Sequence, residues 1–125
     1  MTQEEKDLLV KDLCARLPYG VKISIPDPWI NEEKVEVLNE IFKGDDGLYR
    51  VNDSGMLIKY IKPYLFPLSN MTSKQRAELS MLVANEYDML KSFLIEIEFY
   101  HKHHFDYRGL IGKGLAVDCT NLNIY

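Results

Sequence analysis

Apolar residues near the start of the chain recur at a spacing typical of an amphipathic helix. The stripe consists of Leu9, Leu13 and Leu17. The charged residues, Asp12 and Arg16 among them, fall mainly outside it. Thr2 and Glu5 have the spacing of a capping box, in which each side chain accepts a hydrogen bond from the other residue's backbone N–H. The pattern predicts a helix over about residues 3–16, which the following proline and glycine would end.

After this helix the apolar residues alternate with polar ones, as in β-strands. Residues 20–25 predict a half-buried strand. Residues 33–42 fit either a strand or a helix, but a turn signal at 44–47 and an apolar return segment at 48–51 favour a β-hairpin. Residues 56–61 predict a further strand, so this part of the chain is expected to form an antiparallel meander.

Two proline-containing segments flank the predicted strands. Pro26 ends the first strand, because proline cannot donate to a sheet ladder. We expect Trp29, in the loop that follows, to close one end of the core, with a partner anchor as the alternative. Residues 62–68 are expected to be extended and packed over the core, although their aromatic residues could instead contact a partner.

A helical spacing of apolar residues returns in the last third of the chain. Thr72 and Gln75 repeat the capping-box spacing. Residues 72–103 predict either one long helix or two helices, the second capped by Asp88.

A short final helix is predicted at residues 107–111, with Asp106 as its cap. Together the patterns predict an α+β protein. It would have an N-terminal helix, an antiparallel sheet of about three to five strands and a helical C-terminal half, in one domain over residues 1–125.

Composition and charge narrow the classes of function. Fifteen basic against nineteen acidic residues give a net charge of −4, which argues against a large nucleic-acid-binding surface. No apolar run approaches the length of a membrane span and the N-terminus lacks a signal-peptide core, so we expect a cytoplasmic protein with reduced thiols. Cys14 is expected to be buried. The glycines around Lys113 do not complete a phosphate-binding loop motif, because Gly114 occupies the position after the lysine where that motif needs Ser or Thr.

Imidazole, carboxylate, phenol and guanidinium groups are concentrated where the last apolar helix ends. We expect a binding surface there, formed by His103, His104, Asp106, Tyr107 and Arg108. No complete catalytic motif accompanies this cluster. The sequence therefore predicts a non-enzymatic binding or adaptor protein with a protein partner, without a cofactor, and leaves the oligomeric state open.

Two other functions stay open. His101 and His104 would share a helix face near Asp106, and the three could hold a metal ion or act as an acid–base centre. Imidazoles near a helix C-terminus also complement the helix dipole without any chemistry. The second alternative is a nucleic-acid-binding accessory role, which Glu96 and Glu98 oppose because they dilute the positive charge.

Three motifs carry a resemblance to other proteins. They are LCARLPYG at 13–20, IKPYL at 61–65 and HHFDYRGLIxKGLA at 103–116. With these motifs the chain resembles a family of small uncharacterised proteins carried by gut anaerobes and their phages or prophages. The resemblance implies a phage or mobile-element context, but it implies no activity and no catalytic residues.

Overall fold

The N-terminal helix forms as its capping box predicts. The structure, a computed structural model, describes residues 1–27, 29 and 31–125. Helix α1 spans Gln3–Arg16, and the Thr2 hydroxyl accepts a hydrogen bond from the Glu5 N–H at 3.1 Å. In return the Thr2 N–H donates to the Glu5 carboxylate at 2.9 Å. A 3₁₀ turn and Gly20, with a left-handed φ of 70°, end the helical segment.

The described part of the chain forms eight strands in two sheets. They are β1 (Lys22–Asp27), β2 (Glu32–Val37), β3 (Ile41–Lys43), β4 (Tyr49–Val51), β5 (Met56–Leu57), β6 (Lys62–Pro67), β7 (Phe105–Asp106) and β8 (Val117–Asp118). The larger sheet has the order β2-β1-β6-β7, with β8 also paired to β6, and the smaller sheet has the order β3-β4-β5. The predicted α+β class is therefore confirmed, but there are two sheets in place of one, and the larger is mixed instead of purely antiparallel.

Residues 33–42 are extended, and they divide between the two sheets. Strand β2 pairs with β1 in an antiparallel register that places Ile23 opposite Glu36. Strand β3 pairs with β4, with Phe42 opposite Arg50, so the predicted hairpin is confirmed for this short strand. A two-residue period identifies a strand but not its partner, and for this reason the longer pairing with β1 was not predicted.

Asn52 fixes the connection between the two sheets. Its φ of 53° is left-handed, and its side chain is buried. The side-chain oxygen accepts hydrogen bonds from the N–H groups of Asn39, at 2.9 Å, and Glu40, at 3.3 Å. The side-chain nitrogen donates to the Val37 carbonyl at 3.0 Å. One buried amide thus satisfies the backbone of the segment that leaves β2 and enters β3.

Strand β6 occupies the proline-rich segment and has the most partners in the larger sheet. It pairs with β1 in an antiparallel manner and with β7 and β8 in a parallel manner. Leu65 is fully buried there. The prediction that this segment is extended and packed against the core is confirmed, and its residues also belong to the sheet itself.

The second half of the chain contains two helices, α2 (Ser73–Val83) and α3 (Met89–Lys102). The predicted caps are confirmed. Thr72 and Gln75 exchange both capping-box hydrogen bonds, and Asp88 accepts from the N–H groups at the start of α3. None of the helices in the described residues has the length and apolar content needed to cross a membrane.

Several local predictions are wrong. Strand β1 continues through Pro26 to Asp27, and residues 58–60 form a 3₁₀ turn instead of extending the predicted strand. Residues 107–111 form bends and turns rather than a helix, because Gly109, in the middle of this segment, adopts a left-handed φ of 73°. Trp29 does not close the core; it is 93% exposed, in a turn where its N–H donates to Asp27. Cys14 is exposed because it lies on the outer face of α1, next to the buried Leu13.

Candidate functional site

Two arginines from distant parts of the chain share one buried carboxylate. Asp12 and Arg16 are both fully buried on α1, which corrects the expectation that they lie outside its apolar stripe. Arg16 Nε lies 2.8 Å from one Asp12 oxygen, and Arg108 Nε lies 3.1 Å from the other. Arg16 also donates to the Phe105 carbonyl at 2.7 Å. Burial raises the pKa of Asp12, whereas both guanidinium groups oppose that rise. The network joins α1 to the segment that follows α3.

Tyr107 lies between these arginines and the end of α3. The Arg16 and Arg108 guanidinium carbons lie 5.4 and 5.0 Å from the centre of its ring. Its hydroxyl forms a 2.6 Å hydrogen bond with Nε2 of the buried His101. Burial, with the nearby positive charge of Arg16 and Arg108, lowers the pKa of His101 to about 4. At neutral pH this imidazole is therefore uncharged, as its surroundings require.

Asp106, one of the five predicted binding residues, holds the chain's own backbone. It is buried, and each of its carboxylate oxygens accepts a hydrogen bond of 2.9 Å, one from Leu110 N–H and one from Ile111 N–H. The predicted capping chemistry is thus present on a turn instead of a helix.

The two remaining predicted histidines face different neighbours. His103 follows the last turn of α3, and its ring centre lies 4.5 Å from that of Phe99. His104 stacks on Tyr125 with ring centres 3.7 Å apart and planes inclined by 10°. Burial is the main cause, and nearby positive charge a further one, of a His104 pKa lowered to about 4. The five predicted residues therefore divide among several packing environments instead of forming one open surface.

The histidines pack against and hydrogen-bond to other side chains of the protein, and this arrangement is unlike that of metal ligands. Within the residues that the structure describes, no group of three or more His, Cys, Asp or Glu side chains is placed to hold a metal ion. His101 Nε2 is hydrogen-bonded to Tyr107, and both Asp106 oxygens accept from the backbone. The acid–base alternative has one hydrogen-bonded pair, His101 with Tyr107, of which His101 is buried and Tyr107 is half-buried.

A second feature, outside the predicted cluster, is a set of large exposed apolar side chains on the helical pair and its connection. We call it the α2–α3 face. Its members are Met81, Leu82, Tyr87, Met89, Leu90, Phe93 and Leu94, each more than half exposed. All eleven residues of α2 are described, and none of them is buried. Soluble chains seldom leave so many large apolar side chains together in water unless the surface binds something.

The α2–α3 face arises because α3 extends beyond the body of the protein. Leu90, Leu94 and His101 lie at helical spacings along one side of α3. His101 is buried at the C-terminal end of this stripe, whereas Leu90 and Leu94 are 69% and 57% exposed. The stripe that packs on the body at one end of the helix thus continues into solvent at the other.

A groove of about 690 Å³ runs between the two helices. Its apolar lining comes from Met81, Leu82, Ile95 and Phe99, and His103 lines it as well. His103 is therefore the one predicted binding residue among the residues that line this groove. Burial and the charge of the adjacent Lys102 lower the pKa of His103, while Glu78 across the groove opposes that shift.

The α2–α3 face was not predicted, because the helical spacing in residues 72–103 was identified without any assignment of what covers its apolar side. Helical spacing reveals which side of a helix is apolar but not whether the rest of the chain covers it. A signal was present in Met81, Tyr87 and Met89, which widen the apolar surface beyond a single stripe.

A smaller groove, of about 350 Å³, lies between α1 and the three-stranded sheet. Lys6, Lys43 and Lys59 line it together with Asp7 and Tyr49. It is a local concentration of positive charge on a chain that is acidic as a whole.

No protein-family model, curated protein or solved structure matches this chain. Function is therefore inferred from the geometry of these surfaces.

Proposed function

We propose that this chain is a small, cytoplasmic, non-enzymatic binding or adaptor protein, and that the α2–α3 face is its docking surface. The observation that carries the proposal is the exposure of seven large apolar side chains, six on two adjacent helices and Tyr87 in the connection between them. Water contact with apolar area costs about 25 cal/mol per Å², so covering this face is strongly favourable. An amphipathic helical surface of this kind is a recurrent mode of protein recognition.

The polar cluster at the end of α3 supports this role by fixing the position of the helical pair on the rest of the protein. Asp12 and Arg108 fix the segment after α3 to α1, and the bond between Tyr107 and His101 fixes the helix end to that segment. A docking surface built on a rigid base loses less conformational entropy when it binds. In this proposal Asp106, Tyr107 and Arg108 position the helical pair, and His103 contributes to the groove itself.

The biological setting we propose is a phage or mobile element. Its support is the resemblance of the three motifs, of which LCARLPYG contains Arg16 and the last contains Asp106, Tyr107 and Arg108. Those motifs therefore include several residues of the network that positions α3.

Site-specific photo-crosslinking tests the docking surface. A benzophenone amino acid replaces Phe93 in one variant and Tyr60 in a control variant, because the two aromatic residues are 57% and 52% exposed on different surfaces. Both variants are illuminated in the cells that carry the gene. We expect protein adducts at position 93 well above those at position 60. Equal or absent adducts at position 93 would rule out the proposal.

A further inference from the structure

We infer that the α2–α3 face is occupied by a second copy of this chain, so that two helical pairs pack across a two-fold axis into a four-helix arrangement. The inference rests on the proposed docking role of this face and names its partner. A two-fold contact buries the same patch on both copies, and a patch can pair in this way when it is self-complementary in shape and charge.

The area of the face matches what a stable interface needs. The exposed fractions of its seven residues add up to nearly five complete residues. At roughly 150–200 Å² for each large side chain, the face offers on the order of 700–1,000 Å². A specific protein interface of standard size buries about 800 Å² on each partner. One copy of the face therefore suffices to cover another.

Charge also favours a second copy over a charged partner. Residues 73–102 contain four basic and five acidic residues, a net charge of −1 with neutral histidines. Two such surfaces repel each other only weakly when they meet. A nucleic acid or an anionic membrane would instead require an excess of Lys and Arg on this surface, which the segment lacks.

The spacing of the apolar residues fits packing between helices. Leu90, Leu94 and Ile97 are four and three residues apart, and His101 follows four residues later. This alternation of four and three is that of a coiled-coil seam, whose side chains interlock with those of a facing helix. The exposed part of this seam lies on the half of α3 that extends beyond the body.

The helical pair also gains stability from a partner that is always present. Helix α2 has 11 residues, none buried within the chain. Isolated helices of this length are marginal in water, and helices in proteins depend on packing of an apolar face. A second copy is available to every molecule wherever the chain is made.

Sedimentation equilibrium of the full chain tests the inference. We expect the wild type to have twice the 14.6 kDa chain mass, with a monomer appearing on dilution. Leu90→Glu with Leu94→Glu should raise the dimer dissociation constant at least about 100-fold, because buried like charges cost several kcal/mol. Val35→Glu with Val37→Glu is the matched control. These two valines are also exposed, at 45% and 48%, but lie on β2, so this variant should remain dimeric.

A charge-swap experiment makes the result independent of folding defects. Leu90→Lys with Leu94→Lys should also be monomeric, and mixing it with the Glu variant should restore a 1:1 dimer. A wild type that stays monomeric at every concentration would overturn the inference, as would a dimer lost only in the β2 control. If a monomeric wild type still forms adducts with another protein through position 93, the second copy is wrong but the docking role stands.

Discussion

Replacing Asp12 by asparagine should be among the most damaging single changes to the body of the protein. The substitution keeps the size of the side chain but removes the carboxylate that two arginines share. An asparagine offers one acceptor oxygen, and its NH₂ group would face a guanidinium donor. Arg16, which is fully buried, would then lack a charge partner at this position.

The expected cost follows from the burial of this pair. Breaking a buried ion pair by removing one partner costs about 3–5 kcal/mol. This is a large share of the roughly 5–15 kcal/mol by which native domains are stable. The pair of Arg50 and Asp46 provides a matched control, since it has the same i,i+4 spacing and the same 2.8 Å distance but is exposed. There Asp46→Asn should cost no more than about 1 kcal/mol.

Urea unfolding at pH 7 and one fixed protein concentration measures both costs. A third variant, Asp12→Leu with Arg16→Met, replaces the fully buried pair by apolar groups. It should be closer to the wild type than Asp12→Asn, because the fully buried arginine is removed together with its partner and Arg108, which also loses Asp12, is partly exposed to water. If Asp12→Asn destabilised the protein no more than Asp46→Asn, the buried network would not hold α1 to the segment after α3 as we describe.

Two further predictions concern stability. His101 and His104 have pKa values of about 4 in the folded protein, below their ordinary 6.5, so their contribution is complete above pH 6.5 and is lost as the pH falls toward 4. Each should cost roughly 2 kcal/mol between pH 7 and pH 5, and urea midpoints that do not change over this range would contradict the assignment. Asn52→Ala should cost about 2–4 kcal/mol, from unsatisfied backbone groups and a left-handed φ, and Asn52→Gly should cost less because glycine tolerates that φ. Equal unfolding free energies for the two variants would exclude the backbone contribution.

Local signals in the sequence predicted the local structure well. The capping boxes at Thr2 and Thr72 and the cap at Asp88 involve residues within three positions of each other, so the sequence contains both partners of each hydrogen bond. Strand partners and the depth of burial depend on the whole chain. For this reason the pairing of β2 with β1 and the exposure of Trp29 were not predicted.

The candidate site also combines features that local sequence predicts with contacts that depend on the whole chain. The cluster at 101–108 was identified from its composition, but its buried partners, Asp12 and Arg16, are about 90 residues away in the chain. Asp12 and Arg16 each lie three residues after a buried leucine, but because they are charged they were expected outside the apolar stripe of α1. The α2–α3 face was missed because exposure is a property of what the remaining residues leave uncovered.

We expect the α2–α3 face to be covered in the working protein, and methionine oxidation can measure this coverage. Met81 and Met89 are 78% and 80% exposed in the single chain, and Met1, at 48%, is an internal reference on another surface. A brief peroxide pulse is applied to cells that make the protein and to the purified chain at high dilution, and each methionine is quantified by mass spectrometry. We predict that Met81 and Met89, relative to Met1, are protected in cells and become reactive on dilution. Equal relative reactivity in both conditions would contradict the claim.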